Sequence, residues 1–108
     1  PDVAIVQCFD EEYLAHHPYP ENIFWVIEYS ESTLKKDLGL KAEVYAESGI
    51  PEYWVVNLKD RSVIVFKDIL NSRYTSETTY RGGNIQPSAF PDVLVSIDRL
   101  VKSRRKLK

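Results

Sequence analysis

Ile23-Phe24-Trp25-Val26-Ile27-Glu28-Tyr29, a helical pattern from Leu34 to Tyr45, the break Gly49-Ile50-Pro51, and then Tyr53-Trp54-Val55-Val56-Asn57-Leu58: this stretch decides the fold. The first run is aromatic and β-branched, and it is apolar on both faces. That pattern marks a strand lying centrally in a covered sheet. The last run reads as another strand. Between them, Ser32 or Thr33 can cap a helix start. Leu34, Leu38, Ala42 and Tyr45 recur at helical spacing, and Gly49 with Pro51 stops the helix. A strand, helix and strand in this order form a crossover unit, expected to be right-handed and to place its two strands parallel.

The rest of the chain extends this unit. Upstream, Val3-Ala4-Ile5-Val6-Gln7-Cys8 reads as a buried strand, followed by a polar, aromatic loop over residues 10–21 in which Pro18 and Pro20 forbid regular structure. Downstream, Lys59-Asp60-Arg61 makes a turn and Ser62-Val63-Ile64-Val65-Phe66 returns as a strand. Residues 74–80 are rich in Thr and read as an exposed strand, Arg81-Gly82-Gly83-Asn84 as a turn, and residues 97–102 as a short helix. The fold class is α/β, with a mixed central sheet and a crossover helix. Because the chain opens on a strand at Pro1-Asp2, an amino-terminal helix and strand are expected to precede it.

The 108 residues suit one domain, 1–108, ending in a basic tail over 99–108. No apolar run approaches the roughly 20 residues of a membrane span, so no membrane association is expected. No secretory signal pattern opens the chain. The single Cys8 excludes a disulfide framework and favours the reducing cytoplasm. The net charge of −2 conceals an asymmetry: residues 1–60 carry twelve acidic and four basic side chains, residues 61–108 four acidic and ten basic. Six of those basics fall in the tail. A run of like charge ordinarily faces water, which is the reading adopted for it, although it could touch phosphate.

Three ionisable residues stand where apolar ones are expected. Glu28 is in phase with Phe24 and Val26 on one face of a buried strand. A carboxylate there costs heavy desolvation unless it is paired or bound to a cation. Lys41 belongs to the stripe Leu34, Leu38, Lys41, Tyr45, which is the sheet-facing side of the helix. Asp2 starts the first strand in phase with Ala4 and Val6. If the first two strands are neighbours, Asp2 and Glu28 converge. Two close carboxylates repel unless a cation lies between them, and Mg²⁺ selects such oxygen ligands. A nearby Lys can orient water and stabilise charge developing on a phosphate. A buried Lys41–Glu28 ion pair without catalytic role explains the same residues.

A family resemblance rests on Pro1-Asp2-Val3-Ala4-Ile5-Val6, Val26-Ile27-Glu28, Asp37-Leu38-Gly39-Leu40-Lys41, Tyr45-Ala46-Glu47-Ser48-Gly49-Ile50, and Pro51-Glu52-Tyr53-Trp54-Val55-Val56-Asn57, with Gly82-Gly83 and Phe90-Pro91-Asp92 further on. These residues resemble the PD-(D/E)XK nuclease superfamily, the restriction-endonuclease-like fold, and more closely its Uma-two family of candidate endonucleases. The resemblance implies that Asp2 and Glu28 bind the metal, Mg²⁺ or alternatively Mn²⁺, and that Tyr29 offers its backbone carbonyl to it. It implies Lys41 as the catalytic lysine, because Ser30 fills the position where the superfamily motif carries Lys. It also implies a further acidic ligand from an amino-terminal helix.

Other residues read as structural. Adjacent His16-His17 point apart, with no third ligand at suitable spacing. Asp37, four residues before Lys41, can pair with it or hold the helix start. Tyr45, Tyr53 and Trp54 read as core aromatics. Cys8 has no His partner, and Gly82-Gly83 is a turn and not a phosphate-cradling loop.

Two functions are thus in play. One is a Mg²⁺-dependent endonuclease acting on DNA through Asp2, Glu28 and Lys41. The other is an inactive nuclease-fold module used for dimerisation or nucleic-acid binding. Exposed β edges leave room for a homodimer. The acidity of the half carrying the site argues against an extensive duplex-binding surface there.

Overall fold

The structure, a computed structural model, describes residues 2–6 and 19–103. Pro1, Cys8, His16-His17 and residues 104–108 of the basic tail lie outside the described residues. In chain order the elements are β1 (Val3–Val6), a 3₁₀ turn (Pro20–Asn22), β2 (Ile23–Ser30), α1 (Leu34–Leu38), α2 (Leu40–Glu47), β3 (Glu52–Asn57), β4 (Ser62–Leu70), β5 (Arg73–Tyr80), β6 (Asn84–Ile85), β7 (Val95–Ser96) and α3 (Ile97–Ser103). The first five strands form one sheet in the order β1-β2-β3-β4-β5, and β6 pairs with β7 separately. β2 and β3 are parallel, with Val26 opposite Tyr53 and Glu28 opposite Val55, as a crossover through α1 and α2 requires. The other pairs in the sheet are antiparallel.

The two apolar faces of β2 and β3 are each covered, so alternation along one strand feeds two cores. Trp25, Ile27, Trp54, Val56, Val63 and Val65 pack with Ile85 of β6 and with Ile97 and Val101 of α3. Val26, Tyr53, Val55, Ile64 and Phe66 pack with Ala42 of α2 and with Ile50, flanked by Leu34 and Leu38. Glu28, two residues beyond Val26, falls on this second face, against α1 and α2.

Three sequence expectations are corrected. β1 is an edge strand and not a buried one: Val3 and Ala4 are exposed and Ile5 and Val6 only half-buried. Among the described residues it pairs with β2 alone, so there its apolar run lacks the second neighbour that buries β2. The crossover helix is broken in two at Gly39, which has φ −101° and ψ −89°. Glycine is a poor helix former, and a Cβ there would meet the Lys35 carbonyl at 3.1 Å. Thr33 begins α1 without a side-chain bond to the helix backbone; its hydroxyl donates to the Asp37 side chain. β6 and β7, two residues each, are too short to leave a period in the sequence. β5 agrees with its reading as a mostly exposed strand. It closes on β4 through Asn71 and Ser72, both at positive φ, the twist favoured by two-residue hairpin loops. No helix among the described residues is long and apolar enough to cross a membrane.

Candidate active site

Glu28, Asp37, Lys41 and Tyr45 meet between β2 and the two crossover helices. Glu28 is brought there by strand alternation, and its side chain is 6% exposed. Lys41 and Tyr45 are one helical turn apart on α2, so they share the face that looks onto β2. Tyr45 donates its hydroxyl to Glu28 Oε2 at 2.7 Å, and Lys41 Nζ approaches the same oxygen at 3.4 Å. The Tyr45 ring rests edge-on against Tyr53, with centroids 4.8 Å apart. Burial, reinforced by the Glu28 carboxylate, pushes the Tyr45 hydroxyl well above its ordinary range, so it acts as a donor at neutral pH.

Asp37 completes the group from α1. It is 1% exposed, and its Oδ1 stands 3.1 Å from Lys41 Nζ. That oxygen is buried without a well-aligned hydrogen bond, so the charge of Lys41 is what answers it. Its Oδ2 accepts the Thr33 hydroxyl at 2.8 Å, and its backbone carbonyl accepts the Tyr53 hydroxyl at 2.9 Å. Contact with Asp37, with Glu28 adding to it, raises Lys41 above its ordinary value against the opposing effect of burial. Its side chain remains one-third open to solvent, 34% exposed. The ammonium is therefore charged at neutral pH. The stability it contributes is lost only as pH rises through that raised value.

Asp2 lies across the β1–β2 ladder. Val3 opposite Ile27 and Ala4 opposite Val26 set a register that, continued one step, puts Asp2 opposite Glu28. Asp2 is exposed, yet its carboxylate turns onto β2, where Oδ2 accepts the Tyr29 backbone N–H at 2.7 Å. Ser30 is buried on the Glu28 face, and its hydroxyl has no partner among the described residues. Among the described residues no group of three His, Cys, Asp or Glu side chains is placed to hold a metal ion. By register Asp2 and Glu28 thus face each other across the β1–β2 pair, and the buried Ser30 hydroxyl lies two residues beyond Glu28 on the same strand. Those hard oxygen donors fit a small divalent cation that keeps several waters, and fit poorly a metal needing a full cage of side chains.

Tyr45 is the member of this cluster that a reading based on apolar periodicity misses: it counts as a core aromatic by pattern, and its ring is one, but its hydroxyl carries the shortest bond to Glu28. Asp37, expected either to pair with Lys41 or to hold the helix start, does pair with Lys41, and is far more buried than a helix-start residue would be. The signal that reveals both is a polar stripe, Thr33, Asp37, Lys41 and Tyr45, each four residues after the last. Tyr45→Phe keeps the ring packing and removes one donor from a buried carboxylate. It is expected to cost about 1–3 kcal/mol of stability, measured by urea unfolding against wild type.

A family model described as "Putative restriction endonuclease", Uma2, matches residues 1–105. No curated protein sequence matches the chain. The mixed five-stranded sheet with its crossover helices is consistent with a restriction-endonuclease-like fold. The family match extends over nearly all of the strands and helices that build the acid–lysine cluster, and on that span the chain belongs to the Uma2 family.

Proposed function

We propose that this protein is a Mg²⁺-dependent endonuclease that hydrolyses phosphodiester bonds in DNA, with Asp2 and Glu28 as metal ligands, the Tyr29 carbonyl as a third, and Lys41 as the cation facing the reacting phosphate. One observation carries the reading: the Glu28 carboxylate, buried on the inner face of β2, is met by the Lys41 ammonium at 3.4 Å, and the β1–β2 register, continued one step, brings a second carboxylate opposite it. Glu28 and Asp37 around one Lys41 leave a net negative site before Asp2 is counted, which favours a further cation. Family membership supports the substrate class.

Bound Mg²⁺ would supply Lewis-acid polarisation of a phosphoryl oxygen. The residues do the rest. Tyr45 holds Glu28 Oε2 in one orientation. Lys41, anchored at its far side by Asp37, presents a fixed positive charge to the charge developing on the phosphate. In this reading the β1–β2 register, extended by one residue, holds Asp2 across from Glu28.

The acidity of the first sixty residues weighs less against DNA once the fold is considered. Of the four basic side chains there, Lys35, Lys36 and Lys41 lie on α1 and α2 beside the site. Arg99 and Lys102 lie on α3, which covers the opposite face of the sheet. We expect Lys35→Glu/Lys36→Glu to weaken DNA binding and to lower the salt slope of log affinity by about 2, in titrations at several salt concentrations. Arg99→Glu/Lys102→Glu should leave that slope unchanged.

The reading is tested by plasmid nicking with Mg²⁺, with Mn²⁺ and with chelator. Nicking that requires the divalent ion supports it. A protein inert under all three conditions, and without measurable affinity for the ions, is a nuclease fold used for another purpose.

A further inference from the structure

Asp37 touches neither the reacting phosphate nor the proposed metal in the chemistry just outlined, yet it is the most buried charged group of the cluster. Lys41 is shared between two anions, 3.1 Å from Asp37 Oδ1 and 3.4 Å from Glu28 Oε2. A divalent cation on Glu28 would repel that ammonium, since two cations would compete for one carboxylate. With one-third of its side chain open to water, Lys41 could then swing outward. Asp37 is the anion that cannot follow. Thr33 fixes its Oδ2, Tyr53 fixes its backbone carbonyl, and Oδ1 is left to face the ammonium.

We propose that Asp37 is the positioning residue of Lys41: it takes the ammonium over when Glu28 engages a divalent cation, and so keeps it at the site. This rests on the reading of Glu28 as a metal ligand. Lys41 accordingly competes with the metal for Glu28 only as far as Asp37 lets it go. Removing the Asp37 charge hands Lys41 to Glu28 and weakens metal binding. Removing Lys41 as well relieves the competition.

The test is a cycle of Mg²⁺ affinities, measured by calorimetry on wild type, Asp37→Asn, Lys41→Met and the double variant. A purely structural or long-range charge effect of Asp37 gives Lys41→Met the same gain in affinity in both backgrounds. The proposed hand-over makes that gain about tenfold larger in the Asp37→Asn background, within the range seen for groups that orient metal ligands. Equal gains overturn the role of Asp37 and leave the metal site standing. No Mg²⁺ binding by the wild type overturns the metal reading, and the hand-over with it. If Asp37→Asn does not fold by circular dichroism, Thr33→Val replaces it in the same cycle. That change loosens Asp37 Oδ2 without removing the charge, and a gain from Lys41→Met larger than in wild type is again the supporting result.

Discussion

Glu28→Gln is expected to abolish measurable Mg²⁺ binding and to lower DNA nicking by at least about 10³-fold, because it removes a ligand charge worth several kcal/mol at the transition state. The side chain keeps its shape, so the Tyr45 hydroxyl still finds an oxygen and the fold should persist. Lys41→Met behaves differently. It leaves Mg²⁺ binding intact or tighter, and lowers turnover by about 10²–10³-fold, as loss of one aligned charge stabiliser does elsewhere. The contrast decides between the two explanations of the cluster. In a merely structural ion pair both variants lose stability and neither has an activity to lose. Breaking a buried pair by removing one partner costs about 3–5 kcal/mol where burial is complete. The one-third exposure of Lys41 makes the cost smaller here.

The largest effect on stability is expected at Trp54. Its side chain is fully buried, its ring lies 4.6 Å from that of Trp25, and its indole N–H donates to Glu52 Oε2 at 2.7 Å. Glu52 is itself buried, and its other oxygen accepts the Ser88 backbone N–H at 2.8 Å. Trp54→Ala therefore leaves a cavity and a buried carboxylate one donor short. The cavity alone costs about 3–5 kcal/mol, a fall in Tm of about 15–30 °C for a domain of this size. Trp54→Phe fills most of the space and still loses the bond to Glu52, so an intermediate fall is expected. Thermal unfolding followed by circular dichroism measures both. A change below about 5 °C for Trp54→Ala contradicts the packing described here.

The central part of the fold is legible because β2 and β3 combine apolar character on both faces with a helical segment between them, and few arrangements other than a covered parallel pair accommodate that. The misreadings have physical causes. The run at β1 has the composition of a buried strand, but composition does not say how many neighbours a strand has. Gly39 breaks a helix whose apolar spacing continues smoothly across the break, so periodicity alone passes over it. At the site, Glu28 and Lys41 are conspicuous as charges on apolar stripes. Tyr45 is hidden by its own ring, which packs as a core aromatic while its hydroxyl bonds to Glu28. Glu52 is hidden similarly: its partners are an indole two residues away and the backbone N–H of Ser88, and neither spacing resembles an ion pair.

The central claim is that Asp2 and Glu28 hold one divalent cation between them, and anomalous diffraction from crystals soaked in Mn²⁺ tests it most directly. The expected result is an anomalous peak within coordination distance of both carboxylates, with Lys41 drawn onto Asp37. No peak between Asp2 and Glu28, with Lys41 still seated on Glu28 Oε2, would contradict it.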